Sequence, residues 1–92
     1  MNLHIDTSQM DRISIDIDSK HFEATSKKRK AQYLLEFIDS KLSELGESPK
    51  AITSITINKG PGSFTGLRVG ATVAATLGWS LGIPVDTELQ LV

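Results

Sequence analysis

Two stretches near the start of the chain alternate apolar and polar residues, and this pattern predicts β-strands. A period of two is typical of strands that bury one face. The segment between the stretches, residues 7–12, is polar and turn-like, so residues 2–18 are predicted to form a hairpin. The segment 20–25 is expected to add a short third antiparallel strand. The alternating apolar positions are Leu3, Ile5, Ile13, Ile15 and Ile17.

Residues 31–45 have apolar positions three and four apart, which predicts a helix. On a helical wheel these positions fall within an arc of about 100°, the width of a stripe that faces a core. Thr25 or Ser26 is the predicted N-cap, while Gly46 and then Pro49 end the helix. The stripe consists of Ala31, Leu34, Leu35, Ile38, Leu42 and Leu45.

The second half of the chain predicts a strand, a helix and a final strand. Residues 51–58 are rich in β-branched side chains, and residues 64–81 are apolar up to Gly82 and Pro84. Residues 85–92 are the candidate last strand. The order β-β-β-α-β-α-β implies a meander followed by a right-handed parallel crossover. We therefore predict an α/β fold with a mixed sheet covered by two helices.

Composition limits the classes of function. The 92 residues suffice for one domain, and they carry no cysteine, so disulfides and zinc–thiolate sites are excluded. A formal net charge of −1 provides no general attraction for nucleic acid. The one basic run, residues 27–30, is compatible with an RNA contact or with a solvated helix start. The opening residues do not resemble a signal peptide, and the longest apolar stretch is short and interrupted, so we expect a cytoplasmic protein.

A glycine-rich loop at residues 58–70 allows two interpretations. It departs from the phosphate-binding loop, because Gly60 and Gly66 are one residue too far apart and Leu67-Arg68 replaces the required Lys-Ser/Thr. An anion at its free N–H groups stays open. The favoured interpretation is a structural loop that lets backbones approach closely, formed by Gly60, Pro61, Gly62 and Ser63.

Small residues continue from this loop along the second helix at every fourth position. Each interior glycine costs about 0.5–1 kcal/mol relative to alanine, so the series indicates a close approach to another helix or strand. The series is Gly62, Gly66, Gly70, Ala74, Gly78 and Gly82, and the opposite side of the helix carries Arg68, Thr72, Ala75, Thr76 and Trp79. One charge over about five turns is typical of a helix that is covered on most sides. We therefore expect a partner protein.

The first helix adds a pair of aromatic residues outside its core stripe, Tyr33 and Phe37. Aromatic side chains are favoured at interfaces. The predicted partner-binding residues are Tyr33, Phe37, Gly66, Gly70, Ala74 and Trp79.

Other candidate chemistry is weak. Asp6 ends the first strand, where its carboxylate either holds a metal–nucleotide or, as we favour, caps the turn. Ser63 lacks a recognisable base, since His4 and His21 belong to no triad motif, and helix capping is the favoured role for Ser63. No cofactor or metal site is predicted.

Four segments resemble the N-terminal lobe of the bacterial TsaB (YeaZ) family. They are LHIDTS, LLEFIDSKLSELG, ITSITINKG and, most specifically, GPGSFTGLRVG followed by LGWSLGIPV. The resemblance covers nearly the whole chain as a single lobe, residues 1–92. It implies an RNase H-like lobe of the actin/hexokinase/Hsp70 superfamily (the ASKHA fold), without the second lobe of a usual family member.

The resemblance also implies a function. Family members are non-catalytic subunits in the formation of threonylcarbamoyladenosine at position 37 of ANN-reading tRNAs. They form homodimers, and they also form heterodimers with the catalytic paralogue TsaD, a Kae1/Gcp relative; both use the two helices of the lobe. The ATPase TsaE joins the assembly. Contact of this chain with tRNA is expected to be indirect. The opening KKRKAQ departs from the family's usual helix start. The alternatives are a nucleotide-binding or enzymatic actin-like domain that uses Asp6 and the glycine loop, and a self-associating module with no role in tRNA modification.

Overall fold

Four strands form a mixed sheet in the computed structural model, which describes residues 1–9, 11–25 and 31–86. The strands are β1 (Asn2–Asp6), β2 (Arg12–Ile17), β3 (Lys20–Thr25) and β4 (Ser54–Ile57). Their order across the sheet is β3-β2-β1-β4. β2 pairs antiparallel with both β1 and β3, whereas β4 runs parallel to β1. The predicted hairpin, third strand and parallel crossover are all confirmed.

Two helices lie on one face of this sheet: α1 (Ala31–Glu44) and α2 (Phe64–Leu81). α2 has the predicted bounds because its end signals are local in sequence. The Ser63 side chain accepts a hydrogen bond from the Gly66 N–H, and Gly82 adopts a left-handed conformation with φ of +72°. Gly46 ends the α1 region in the same conformation, with φ of +70°.

Three predicted boundaries lie elsewhere in the structure or outside the described residues. β4 begins at Ser54, not at residue 51, because Pro49–Ala51 forms a short 3-10 helix whose N-cap side chain, Ser48, accepts from the Lys50 N–H. Of the two predicted N-caps of α1, Thr25 ends β3 and Ser26 lies outside the described residues. The candidate last strand also lies mostly outside them, since residues 87–92 are not described.

The core lies between the sheet and the helices. The register pairs Leu3 with Ile17 and Ile5 with Ile15, so the apolar residues of neighbouring strands share one face. α1 contributes three buried side chains at helical spacing, and α2 adds Leu67 and Val73. Each such side chain contributes roughly 1.5–3 kcal/mol when removed from water. The α1 members are Leu34, Ile38 and Leu42, all within the predicted stripe.

α2 approaches the end of β1 closely at Gly70. A Cβ atom at this position would lie 2.5 Å from the Thr7 hydroxyl oxygen and 3.5 Å from a methyl carbon of Ile5. Thr7 is itself 3% exposed, so its side chain has little room to move. Glycine is therefore required here for packing.

We expect Gly70→Ala to lower the free energy of unfolding by about 1–2 kcal/mol, because overpacking against Thr7 outweighs a gain of about 1 kcal/mol in helix propensity. Urea denaturation of the single variant, of Thr7→Ala and of the double variant measures this. In the Thr7→Ala background the clashing hydroxyl is absent, so Gly70→Ala should be neutral or stabilising. A Gly70→Ala protein at least as stable as the parent would contradict the close approach.

Candidate functional site

The glycine loop packs against Ser8, which follows β1. The Ser63 N–H donates to the Ser8 carbonyl at 2.9 Å, and the Asn58 side-chain amide donates to the Ser8 hydroxyl at 3.3 Å. A Cβ atom on Gly62 would lie 2.8 Å from the Ser8 carbonyl oxygen. The loop thus ties the start of α2 to the end of β1.

Within the loop, N–H groups are used by the chain itself. The Gly60 N–H donates to the Asn58 side-chain oxygen at 2.9 Å, and the Gly66 N–H donates to Ser63 Oγ at 3.3 Å. Gly60 has φ of +109°, a conformation that favours glycine, and the exposed Pro61 follows it. The arrangement has the features of a structural loop, and Ser63 acts as a helix cap.

Asp6 closes the turn after β1. Its Oδ1 accepts hydrogen bonds from the Ser8 N–H at 2.9 Å and from the Ser8 hydroxyl at 2.6 Å. Burial raises the pKa of Asp6, but the hydrogen bonds from Ser8 and Asn58 and the nearby His4 together outweigh burial and hold this pKa below its usual value. In the part of the chain that the structure describes, no three acidic or histidine side chains are placed to bind a metal ion.

The small residues of α2 face the interior of the chain. Gly66, Gly70, Ala74 and Gly78 are all buried, and Ala74 is 0% exposed. Gly70 faces β1, and a Cβ atom on Gly78 would collide with Val85 in the segment after the helix. Gly66, Gly70 and Ala74 pack within the chain, and their predicted contact with a partner stays a prediction. A glycine series alone does not distinguish the two uses.

The opposite side of α2 is open to solvent. We call Arg68, Thr72, Ala75, Thr76 and Trp79 the α2 outer face; all five are exposed. Trp79 is 88% exposed, and at the start of the helix Phe64 is 50% exposed. Arg68 is the one charged residue of α2. A large exposed tryptophan on a nearly uncharged helix face indicates an interaction surface.

Two separate recesses lie between α1 and α2, and we call them together the groove. Near the helix N-termini it has a volume of about 270 Å³, and its lining includes Ala31, Phe64 and Arg68. The Arg68 guanidinium carbon lies 5.6 Å from the centre of the Phe64 ring, a cation–π contact. Further along, a space of about 220 Å³ is lined by residues that include Asp39 and Leu77.

The aromatic pair of α1 lies on a different side of the helix from the groove. Tyr33 and Phe37 are partly buried against the core, and Lys41 Nζ lies 5.5 Å from the Phe37 ring and 5.6 Å from the ring of Phe22 in β3. Each of the pair is two residues from Leu35, which lines the groove, so each lies about 160° around the helix from it. Their predicted contact with a partner stays a prediction.

Sequence reasoning missed Asp39 and Phe64 as residues of the groove. Asp39 flanks the apolar stripe of α1 on the side of Leu35, and Phe64 opens α2. The signal available for Asp39 was its spacing of four residues from Leu35, which places both on one side of the helix.

The other face of the sheet is polar. His21 Nδ1 lies 2.6 Å from Asp16 Oδ1, and its Nε2 lies 2.9 Å from Glu23 Oε1. His4 Nδ1 lies 2.7 Å from the Thr56 hydroxyl. Both histidines thus have polar partners on the strands. Hydrogen bonds to Glu23 and then Asp16 raise the pKa of His21, and the bond to His21 lowers the pKa of Glu23.

These shifts predict a pH dependence of stability. The stabilisation that His21 provides is complete below its unfolded pKa of about 6.5 and is lost as pH rises through its higher folded pKa. The stabilisation that Glu23 provides is complete above its unfolded pKa near 4.5 and is lost as pH falls through its lower folded pKa. The difference in urea midpoint between the parent and His21→Gln should therefore be largest between about pH 4.5 and 6.5. A difference that stays constant up to pH 9 would show that the contacts of His21 do not depend on its charge.

Comparison with known proteins shows the family to which this chain is similar. The family described as "TsaD: tRNA N6-adenosine threonylcarbamoyltransferase" matches residues 23–86. Two relatives carry the name "tRNA threonylcarbamoyladenosine biosynthesis protein TsaB". The one from Bacillus subtilis is 43% identical over 54 residues (59% of this chain, 24% of the relative), and the one from Haemophilus influenzae is 31% identical over 68 residues (74% of this chain, 29% of the relative).

Solved structures agree with these matches. YeaZ from Pseudomonas aeruginosa is 28% identical, with a TM-score of 0.75 over 99% of this chain and 42% of that one. The chain thus spans less than a third of the matched curated relatives and under half of the solved structure. Within the described ranges, neither α1 nor α2 is apolar enough along a sufficient length to cross a membrane.

Proposed function

Since the chain belongs to the TsaD family and resembles the TsaB proteins most specifically through its glycine loop, we propose that it is a non-catalytic scaffold subunit in tRNA threonylcarbamoyladenosine biosynthesis. The names of its relatives support the process. The α2 outer face supports the scaffold role. Asp6 and the glycine loop are engaged in the chain's own hydrogen bonds, which favours a structural role for both.

The observation that carries the proposal is that one side of α2 is buried within the chain while its opposite side is exposed to solvent. α2 uses its small residues to pack on β1, yet its other side exposes Trp79 at 88% and carries one cation, Arg68. Such a face is stabilised when a partner removes it from water. The groove beside it offers a recess for side chains from that partner.

A TsaD-like subunit is the proposed partner. The family match implies that the catalytic paralogue shares this lobe, so it presents two helices of the same kind. Two related lobes that pack helix pair against helix pair form a pseudo-symmetric heterodimer. In this proposal the partner supplies the transferase site, a TsaE-type ATPase joins the assembly, and tRNA is held mainly by the other subunits. The setting is the cytoplasm.

The 92 residues then act as a single TsaB-like N-terminal lobe. The two helices form the proposed contact with the partner, and the four strands support them from the other side. The polar face of the sheet, on which each histidine has a polar partner on a strand, points away from the helices and stays solvated in this arrangement.

We expect Ala75→Arg to weaken binding of the TsaD-like protein of the same organism by at least about tenfold, because it places a second, unpaired cation at the centre of the contact. Ala75 is exposed, so the variant should keep the parent's stability. Size-exclusion chromatography with light scattering, and calorimetric titration of the partner, measure both the complex and its affinity.

Ser19→Arg is the matched control, since Ser19 is exposed in the β2–β3 turn, on the sheet and not on the helix layer. It should bind as the parent does. Equal binding by parent and Ala75→Arg proteins would exclude the α2 outer face, and no complex with the parent would overturn the proposed function.

A further inference from the structure

A polar cup of about 160 Å³ lies on the face of the sheet opposite the helices. The register aligns Asp6 of β1, Ser14 of β2 and Glu23 of β3 in one row across three neighbouring strands. Because neighbouring strands lie about 4.8 Å apart, the backbones of the two acidic residues are about 10 Å apart, with the small Ser14 side chain between them. Arg12, two residues before Ser14 on the same side of β2, lines one end of the cup.

The side chains around this cup carry opposite charges. Asp6 and Glu23 are both ionised at neutral pH, since hydrogen bonds hold the pKa of each below its usual value despite the partial burial of Asp6. Arg12 supplies a positive charge, and its Nη1 lies 3.9 Å from Glu23 Oε2, which exceeds the length of a hydrogen bond. Both of these side chains are about half exposed. The cation and the carboxylates therefore leave a gap between them that is open to solvent.

The carboxylates are held in place by the chain's own hydrogen bonds. Asp6 Oδ1 accepts from the N–H and the hydroxyl of Ser8, and Glu23 Oε1 lies 2.9 Å from His21 Nε2. Side chains that are fixed in advance lose little conformational entropy when a ligand binds. The lining of the cup consists of Asp6, Gln9, Arg12, Ser14, His21 and Glu23.

Opposite charges on two sides of a small gap are complementary to a small zwitterion. We propose that this cup binds a free α-amino acid, with its carboxylate on Arg12 and its ammonium group between Asp6 and Glu23. A guanidinium group donates two parallel hydrogen bonds to a carboxylate, and an ammonium group donates to carboxylate oxygens. Arg12 and Ser14 are about 6.7 Å apart along β2, so the two charges of the ligand lie over neighbouring rows of the sheet.

Other classes of ligand fit this lining less well. Two carboxylates repel an anion such as phosphate. A metal ion is disfavoured because no three acidic or histidine side chains within the described ranges are placed to bind one. A free amino acid satisfies both signs of charge. The cup lies on the opposite side of the sheet from the α2 outer face, so a ligand here goes beyond the proposed function.

The probe is L-serine, titrated into isotopically labelled protein while the NMR chemical shifts of the backbone amides are recorded. Saturable shifts are expected at residues 6–9, 12–14 and 21–23, with a dissociation constant in the millimolar range, because the ligand has few atoms and the site is open. L-serinamide lacks the carboxylate, and N-acetyl-L-serine lacks the ammonium charge. Each of these two compounds should bind at least about tenfold more weakly than L-serine.

Two variants assign each charged group of the ligand to its side chain. Arg12→Gln should bind L-serine at least about tenfold more weakly than the parent does, and no better than it binds L-serinamide. Glu23→Gln should also bind L-serine more weakly, but its affinity for N-acetyl-L-serine should not fall below that of the parent. A purely structural role of either residue would weaken the binding of all three compounds alike.

Matched controls remove the same charges outside the cup. Lys20→Gln lies at the start of β3, and Glu47→Gln lies beyond α1; both residues are exposed. These variants should bind L-serine as the parent does. Circular dichroism and urea denaturation verify that all four variants are folded.

Three results would overturn the amino-acid site. The first is an absence of saturable shifts in these segments up to about 100 mM L-serine. The second is equal affinity for L-serine, L-serinamide and N-acetyl-L-serine. The third is binding of L-serine by both Arg12→Gln and Glu23→Gln proteins as tightly as by the parent. Each of these results leaves the proposed function intact, because that function uses the helices on the other side of the sheet.

Discussion

The contact of α2 with β1 is the constraint on which the rest of the structure depends. Gly70 lets the helix approach until a Cβ atom would lie 2.5 Å from the Thr7 hydroxyl, and Gly62 brings the loop onto the Ser8 backbone. These two contacts determine the depth and direction of α2. As a consequence, the buried side of α2 is satisfied within the chain, and only its outer side is left for a partner.

The secondary structure follows largely from local signals. The alternation in β1 and β2 and the caps Ser63 and Gly82 act within a few residues, so the sequence predicts these elements well. The start of β4 differs because Ser48 and Pro49 form a competing local turn. A β-branched run does not reveal that competition, since strand propensity is decided by context.

It is harder to derive from sequence which neighbouring element a given face of a helix contacts. A series of small residues every four positions fits helix–helix and helix–sheet packing equally, and only the position of Thr7 shows that Gly70 faces the sheet. Phe37 likewise looks like a free aromatic residue until β3 brings Phe22 to the same Lys41 side chain. Both facts depend on contacts between residues distant in sequence, which periodicity does not contain.

The candidate site shows how a small lobe separates stability from association. Its core uses the apolar face of the sheet, and the polar face is satisfied by cross-strand pairs such as His4 with Thr56. The uncompensated features are then concentrated beside the helix groove, where Trp79 is 88% exposed and Arg68 has no acidic neighbour on its own helix. Because substitutions on the α2 outer face leave the contact between Gly70 and Thr7 intact, association can vary while the fold is preserved. Such a division suits a subunit whose role is to hold a partner.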